Sequence, residues 1–347
     1  MTARWILTCA FVGGAASSAR GGAGVAGADA FKLPVEARGW GLGTAYSAIA
    51  DDVGAMAYNP AGLSLVGERE IRLTGLMSME SSLYGSFLGA YPLGRWGAAG
   101  VMLLGHHVPE ISNSGDMFFP LQGVTTPVTV WDLAYGGYIA TRFSHLLPGV
   151  RLMAPYSVGL GLKQITLHVA SFEASTTAAD LGLLAVFDQL RLALVGQNLG
   201  GGYTFPGAVE VEADALPSTL RSAVAVVPYE DASSSLTVAL ENASYIAISS
   251  RQKDPVTGSK RRVTEHLNVL GTGVEFWRLK RMGVRLGYVY PWGRGASSYA
   301  AGRGLALGGT FRIFTDYATY QFDLAWRPLR IGNNPQDALS ISFGLRF

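Results

Sequence analysis

The sequence contains one cysteine, little charge and no long apolar run, and each shortage excludes a class of protein. Cys9 lies in the N-terminal leader, so the mature chain would form no disulfide bond. Charged residues make up 15% of the chain, whereas soluble proteins carry about a quarter. No stretch reaches the roughly 20 consecutive apolar residues that a transmembrane helix needs. The net charge of +2 is too small to indicate nucleic-acid binding.

The N-terminus has the layout of a secretory signal. A basic residue precedes an apolar run over 5–16, and small residues follow it. We expect a signal peptide over 1–28, with cleavage after Ala28 or after Ala19. A lipid anchor at Cys9 is an alternative, although almost no apolar stretch precedes that residue. A hydrophobic secreted chain without a membrane-spanning helix predicts an all-β transmembrane β-barrel.

The last nine residues, 339–347, show the strand pattern most clearly, because apolar residues alternate there with small or polar ones. In a barrel the apolar row would face lipid and the other row the lumen. Similar segments recur along the chain and predict about fourteen antiparallel strands, at 71–79, 82–91, 96–106, 128–142, 156–168, 175–187, 190–198, 217–227, 235–247, 263–277, 282–290, 303–314, 317–327 and 338–347.

The predicted connections support a barrel as well. Short and long connections largely alternate, as in barrels with tight periplasmic turns and longer external loops. The connection 144–155 is an exception, since it is longer than its periplasmic place predicts. An even number of strands puts both ends of the barrel on the periplasmic side.

Motifs of catalysis are lacking in the sequence. It has no Gly-x-Ser-x-Gly elbow, no His-Glu-x-x-His pair and no phosphate-binding loop. His106 and His107 are neighbours, but no third metal ligand accompanies them. The sequence therefore predicts a protein that is not an enzyme and that binds no metal and no cofactor.

The segment 36–66 does not match the strand pattern, because it is rich in glycine and alanine and contains a proline turn. Asp51 and Asp52 are predicted N-caps of a short helix. Asn59 is predicted to cap a second short turn that has Pro60 at its first position. These residues either cap helices only or also anchor a movable plug to the barrel wall.

The motif Ala-Asp-Asp…Tyr-Asn-Pro-Ala-Gly-Leu at 50–63, between a leader and a barrel that ends in Phe, resembles the FadL-type outer-membrane long-chain fatty acid transporters. Within that family it resembles the shorter, PorV-like bacterial relatives. The resemblance implies a fourteen-stranded barrel over 68–347 and a hatch of short helices over 29–67 in its lumen. The hatch motif would then comprise Asp51, Asp52, Asn59, Pro60, Ala61 and Gly62.

The same resemblance implies a function in the bacterial outer membrane. Hydrophobic small molecules, above all long-chain fatty acids, would bind in an apolar lumen, shift the hatch and leave sideways through the barrel wall. A route through water would cost about 0.8 kcal/mol for each exposed methylene. A PorV-like platform that docks other secreted or surface proteins is an alternative, and a general diffusion porin is another. The low charge of the strands argues against the porin.

Three further features complete the hypothesis. Gly97 and Gly100 are candidates for a kink that opens the wall. The apolar residues Met117, Phe118, Phe119 and Leu121 on an external loop would either receive the ligand or fold over the barrel mouth. The expected partners are a hydrophobic ligand, outer-membrane lipids and the barrel-assembly machinery, which would recognise the strand that ends in Phe347.

Overall fold

The computed structural model describes residues 31, 36–78, 82–111, 128–146, 155–169, 172–203, 216–253, 260–293, 303–331 and 334–347. In this part of the chain, fourteen antiparallel strands form a closed barrel, in which each strand pairs with its neighbours in sequence and the first pairs with the last. No helix within these ranges is long and apolar enough to span a membrane. The predicted fold class is confirmed.

The strands are β1 (Glu70–Ser78), β2 (Ser82–Pro92), β3 (Ala98–Ile111), β4 (Val128–Arg142), β5 (Tyr156–Val169), β6 (Phe172–Phe187), β7 (Leu190–Gly200), β8 (Ser218–Glu230), β9 (Ser234–Lys253), β10 (Lys260–Arg278), β11 (Met282–Trp292), β12 (Gly304–Phe314), β13 (Thr319–Ile331) and β14 (Asn334–Arg346). The short helices are α1 (Ala37–Gly41), α2 (Ala55–Tyr58) and α3 (Phe143–Leu146), with 3-10 helices at Pro60–Leu65 and Gly94–Trp96.

The alternation of side chains explains why these residues form a barrel. Along β11, Val284 and Leu286 are exposed, whereas Arg285 between them is buried. In β14, Ile341 and Phe343 are exposed and Ser342 is buried. The apolar row thus forms the outer face, and the small or polar row faces the lumen, as the period-2 pattern predicts.

Several strand ends differ from the prediction, by up to six residues, and two regions show the reasons. β3 begins at Ala98 rather than at 96, because the 3-10 helix Gly94–Trp96 ends in Gly97, whose φ of 97° suits glycine. The hairpin of β9 and β10 is longer than predicted and reaches Lys253 and Lys260. Its polar tip lacks the apolar alternation on which the prediction depended.

The two ends of the barrel can be told apart by their connections. Glu70 of β1 lies opposite Arg346 of β14, so both barrel termini are at one end. Short turns occur at both ends, but four of the five connections of six or more residues between the described strands lie at the opposite end. Because long loops are external in such barrels, we call the end with the termini the inner end, and the opposite end the outer end. The exceptional connection after β4 begins with α3 at the inner end.

Candidate functional site

Residues 36–66, which we call the inner segment, lie within the barrel lumen. Arg38 donates to Glu275 of β10, whereas the side-chain amide of Asn59 donates to the carbonyl of Leu183 in β6. Ser64 donates to Ser157 of β5. Strands on opposite sides of a closed barrel can be reached together only from inside. The partners in β1, β5, β6 and β10 lie toward the inner end, so the segment fills that half of the lumen.

The first half of the inner segment is held by ion pairs around Arg38. Its guanidinium group donates two hydrogen bonds to Glu275, of 2.9 and 2.7 Å. It also donates to Asp51 at 2.6 Å and to Asp52 at 3.0 Å. The side chains of Arg38, Glu275 and Asp52 are almost fully buried. This geometry joins two parts of the segment to β10 through one cation.

A second buried arginine, Arg72 of β1, continues the network. It contacts Glu36 and donates to Asp52 at 3.2 Å and to Glu70 at 2.6 Å. The ion pairs Arg285–Glu275 (2.6 Å) and Arg285–Asp323 (3.2 Å) extend it toward β13. Together these groups form the ionic cluster: Glu36, Arg38, Asp51, Asp52, Glu70, Arg72, Glu275, Arg285 and Asp323.

The ionic cluster shifts the pKa values of the two inner-segment carboxyl groups in opposite directions. Burial raises the pKa of Glu36 to about 7, against the attraction of Arg72. Burial acts on Asp52 too, but Arg72 and Arg38 outweigh it and hold the pKa of Asp52 well below its usual range. Asp52 also accepts a hydrogen bond of 2.6 Å from Tyr46. Glu36 Oε2 has no hydrogen-bond partner in the described ranges.

The hatch-motif residues from Asn59 onward form a compact turn. Asn59 Oδ1 accepts from the backbone N–H of Ala61 at 3.1 Å, so Asn59 caps the 3-10 helix Pro60–Leu65, with Pro60 first. Its Nδ2 donates to the carbonyls of Ser47 at 2.9 Å and Leu183 at 3.2 Å. The predicted cap at Asn59 is thus observed, and the same side chain ties the turn to β6.

The second half of the inner segment is held mainly by close packing, although the Val53 N–H donates to the Glu70 carboxylate at 3.2 Å. A Cβ atom on Gly62 would overlap the carbonyl oxygen of Ala50, and one on Gly182 of β6 would overlap Asn59. A Cβ on Gly100 of β3 would lie 2.5 Å from the sulfur of Met56. Gly62 thus permits close packing within the segment, whereas Gly100 and Gly182 let the segment approach the wall more closely than any larger residue would.

The outer half of the lumen is lined differently. Its buried side chains are mainly aliphatic and aromatic, and Phe31 packs against several of them. These residues, which we call the outer cluster, are Leu76, Tyr84, Leu104, Ala134, Ile165, Leu167, Ala174, Ala178, Tyr203, Leu216, Tyr245, Leu267 and Val269. The lumen is therefore mainly apolar toward the outer end, although Asp132 and Arg327 are buried there and the Lys163–Asp180 ion pair (2.8 Å) lies near mid-height. The inner segment occupies the half toward the inner end.

Two sequence-based expectations need correction. Asp51 and Asp52 do not cap α2, whose N-cap is Gly54 without a side-chain hydrogen bond. Asp52 accepts from Gly54 N–H at 2.9 Å, yet its main partners are arginines that sequence spacing does not reveal. The expected apolar lumen describes only the outer half, because the ionic cluster fills much of the inner half.

Of the remaining predicted sites, the structure describes the glycines of the wall but not the landing loop. Gly97 and Gly100 lie at the inner end of β3, which pairs with β2 without a register shift over Ala98–His107. The wall is closed there, and a lateral opening stays a prediction. The predicted landing residues Met117, Phe118, Phe119 and Leu121 lie outside the described residues.

At the rim of the outer cluster, His106 Nδ1 lies 3.0 Å from a carboxylate oxygen of Asp132. The described ranges contain no group of three or more residues able to hold a metal ion.

Sequence reasoning missed the barrel side of the ionic cluster. Arg72, Glu275, Arg285 and Asp323 occupy lumen-facing positions of predicted strands, and Glu70 lies directly before the first of these strands. Ionisable residues inside membrane-spanning segments are expensive and usually functional. Their presence on the small-and-polar row was therefore a usable signal, although it could not identify partners more than 200 residues apart.

Several known structures have a similar geometry. The Ralstonia pickettii toluene transporter TbuX matches with a TM-score of 0.54 and 14% identity over 91% of this chain and 99% of its own. CymD, a monoaromatic hydrocarbon channel, matches with a TM-score of 0.59 and 13% identity over 90% of this chain and 97% of its own. A Pseudomonas aeruginosa FadL homologue matches with a TM-score of 0.50 and 10% identity over 90% of this chain and 97% of its own.

The fold is that of the FadL-type proteins. The resemblance inferred from the hatch motif is confirmed at the level of the fold. No protein-family model and no curated protein sequence matches the chain. A FadL-type barrel of fourteen strands with an apolar outer face indicates a location in the bacterial outer membrane.

Proposed function

We propose that this FadL-type barrel takes up hydrophobic small molecules across the outer membrane, with the inner segment acting as its hatch. The division of the lumen carries the proposal. Apolar side chains line the half that a ligand would enter first, and a tightly held segment closes the half beyond it. A lumen built for ions or sugars would need mostly polar side chains at the entrance, whereas here the His106–Asp132 pair lies beside a cluster of apolar residues.

Burial in the outer cluster favours a hydrocarbon ligand. Each methylene that leaves water contributes about 0.8 kcal/mol, so a chain of about ten methylenes gains on the order of 8 kcal/mol before the costs of binding. Straight passage toward the periplasm would lead such a ligand into the ionic cluster. A sideways exit avoids those charges, and Met56 against Gly100 joins the hatch to the wall where that exit is predicted.

Long-chain fatty acids are the leading ligand class, because the hatch motif resembles that of fatty acid transporters. Monoaromatic hydrocarbons are the second candidate, since TbuX is a toluene transporter and CymD a monoaromatic hydrocarbon channel. The predicted landing loop with Met117, Phe118, Phe119 and Leu121 would make the first contact with either ligand.

Calorimetric titration of the purified mature chain with oleate and with toluene tests the proposal. Ala134 is buried in the outer cluster, whereas its neighbour Leu133 is exposed on the lipid-facing side. Ala134→Phe fills the lumen and should weaken binding at least about tenfold, whereas Leu133→Phe should leave it unchanged. Binding that neither substitution alters would place the ligand elsewhere.

The same preparation distinguishes the alternatives. A PorV-like platform would bind neither ligand and would co-purify with a protein partner. A general porin would conduct ions in planar bilayers without any change to the hatch. Deletion of residues 29–66 should abolish uptake by intact cells. The loss is informative only if the barrel still assembles, so heat-modified electrophoretic mobility is recorded in parallel.

We also propose that the last strand is recognised during barrel assembly. Phe347 is exposed, and its backbone pairs with Arg69 through hydrogen bonds of 3.1 and 3.0 Å. Phe347→Ala keeps those backbone bonds and removes only the aromatic ring. The variant should therefore reach the outer membrane in smaller amounts without a change in the melting of the assembled barrel.

A further inference from the structure

The hairpin of β9 and β10 projects beyond the barrel rim. β8 ends its pairing with β9 at Ile246, and β11 ends its pairing with β10 at Asn268. Past those positions, within the described residues, β9 and β10 pair only with each other, up to Lys253 opposite Lys260. The end of β11 carries the exposed Trp292, which suits the outer membrane interface.

The tip of this hairpin concentrates positive charge. Residues 251–262 include five basic residues and one acidic residue, a formal charge of +4, although the whole chain carries only +2. The register places Lys253 directly opposite Lys260 and Arg251 directly opposite Arg262. Like charges in such positions destabilise a sheet, and a two-stranded hairpin is marginally stable in water. An anionic partner would remove the repulsion.

The height of the tip above the barrel rim indicates which kind of anion it can reach. Lys260 is eight residues beyond Asn268 along β10. At about 3.3 Å for each residue and a strand tilt of about 40°, this is a height on the order of 20 Å. The headgroup zone of a phospholipid leaflet is only roughly 5–8 Å thick. The tip therefore reaches past simple headgroups into the layer where larger, sugar-bearing headgroups lie.

We propose that the hairpin tip around Arg251, Lys253, Lys260 and Arg262 binds the phosphate groups of glycolipids in the outer leaflet. Several phosphates on an extended saccharide match a tip with several basic residues and little acidic charge. Binding there would hold the barrel among these lipids and order the hairpin. This inference does not depend on which ligand the lumen takes.

The test is a titration of the mature chain in detergent with lipopolysaccharide that has a phosphorylated core, with the same lipopolysaccharide after removal of its phosphates, and with phosphatidylglycerol vesicles. Lys253→Gln with Lys260→Gln should weaken binding of the phosphorylated form about thirtyfold, because each basic residue near an anionic surface contributes about fivefold. The affinity should also fall as salt rises.

Lys280→Gln with Arg281→Gln is the matched control, since it removes two exposed charges from the turn at the inner end of β10 and β11. It should change the affinity less than about threefold. Equal losses in the two variants, equal binding of the dephosphorylated form, or equal binding of phosphatidylglycerol would each overturn the proposal. Arg251→Gln with Arg262→Gln should reproduce the loss, and circular dichroism confirms that each variant is folded.

Discussion

The two halves of the inner segment are held in the barrel by different forces. Residues 36–52, the ionic half, are fixed by buried ion pairs to β1 and β10, and their backbone also lies close to β10, β11 and β12. Residues 53–66, the packed half, contact β3, β5 and β6 through close backbone approach, apolar side chains and neutral hydrogen bonds, and the Val53 N–H donates to Glu70 of β1. Both halves are thus closely packed, but the observed side-chain ion pairs of the segment all belong to the ionic half.

This difference indicates which half can move when a hydrophobic ligand passes. Separating one member of a buried ion pair leaves an uncompensated charge and costs about 3–5 kcal/mol. Apolar contacts are non-directional, so a hydrocarbon ligand can replace those that the packed half loses. We therefore expect the packed half to move and the ionic half to stay, and the following predictions test that comparison.

The largest effect is expected from disulfide bonds that lock one half at a time. The mature chain would contain no native cysteine, so introduced pairs are free of competition. Ser64 and Ser157 have their hydroxyl oxygens 2.7 Å apart, and Ser64→Cys with Ser157→Cys should lock the packed half to β5. Ligand uptake should stop under oxidising conditions and return after reduction.

The matched lock joins the ionic half to β13. A Cβ on Gly41 would lie 3.6 Å from the Cβ of Ala325, within the range that a disulfide bond needs. Gly41→Cys with Ala325→Cys should leave uptake unchanged, because this half is expected to stay in place. Loss of uptake with the second pair alone would reverse the comparison, and absence of uptake in the reduced proteins would contradict the transport function itself.

Removal of Arg38 should have the largest effect among single substitutions. Arg38→Ala deprives Glu275, Asp51 and Asp52 of a shared cation, at a cost of about 3–5 kcal/mol. The inner segment should detach, so that single-channel recordings show open events that the native barrel lacks. Arg191→Ala is the control, because Arg191 lies 3.8 Å from Asp51 in a more exposed pair that contributes about 0–1 kcal/mol.

A smaller loss is expected from overpacking the packed half. A Cβ on Gly62 would overlap the carbonyl of Ala50, so Gly62→Ala should destabilise the segment by up to about 3 kcal/mol. Gly75→Ala should be nearly neutral, because nothing lies within 4 Å of its Cβ position. Protease susceptibility of the segment at the inner end measures both. Equal susceptibility would show that the packed half tolerates extra volume.

The strands were predictable because their side chains alternate without help from the rest of the fold. β11 was expected at 282–290 and runs over Met282–Trp292, since its apolar and buried rows are both regular. Asn59 was recognisable as a cap because its partner, the Ala61 N–H, is two residues away. Local geometry alone determines features of this kind.

The ionic cluster was not predictable, for the opposite reason. Arg38 and Glu275 are 237 residues apart, and only closure of the barrel and insertion of the segment bring them together. Spacing suggested that Asp52 caps a helix, because an aspartate before a helix normally does so. The nearby arginines bind it more strongly, so tertiary contacts override the local preference.

The smallest effect is expected from pH, through Glu36 of the ionic half. Glu36 faces Arg72, Asp52 and Asp323, and while the ionic half is in place its pKa of about 7 exceeds the ordinary value of 4.5. Between these two pH values Glu36 therefore binds a proton when the ionic half is in place and has lost it when the ionic half is released. The resulting extra stability of the bound ionic half is complete below pH 4.5 and disappears as the pH rises through 7.

Release of the ionic half should thus become easier from pH 5 to pH 8, by about 2.5 kcal/mol. Open events in single-channel recordings of the Arg72→Lys variant, whose weakened pairing makes release measurable, should become more frequent over this range. Adding Glu36→Gln should remove the pH dependence, because the amide cannot ionise. An unchanged slope would assign the titration to another group and leave Glu36 as a fixed charge. A pH effect that the disulfide lock of the packed half abolishes would instead show that both halves move together.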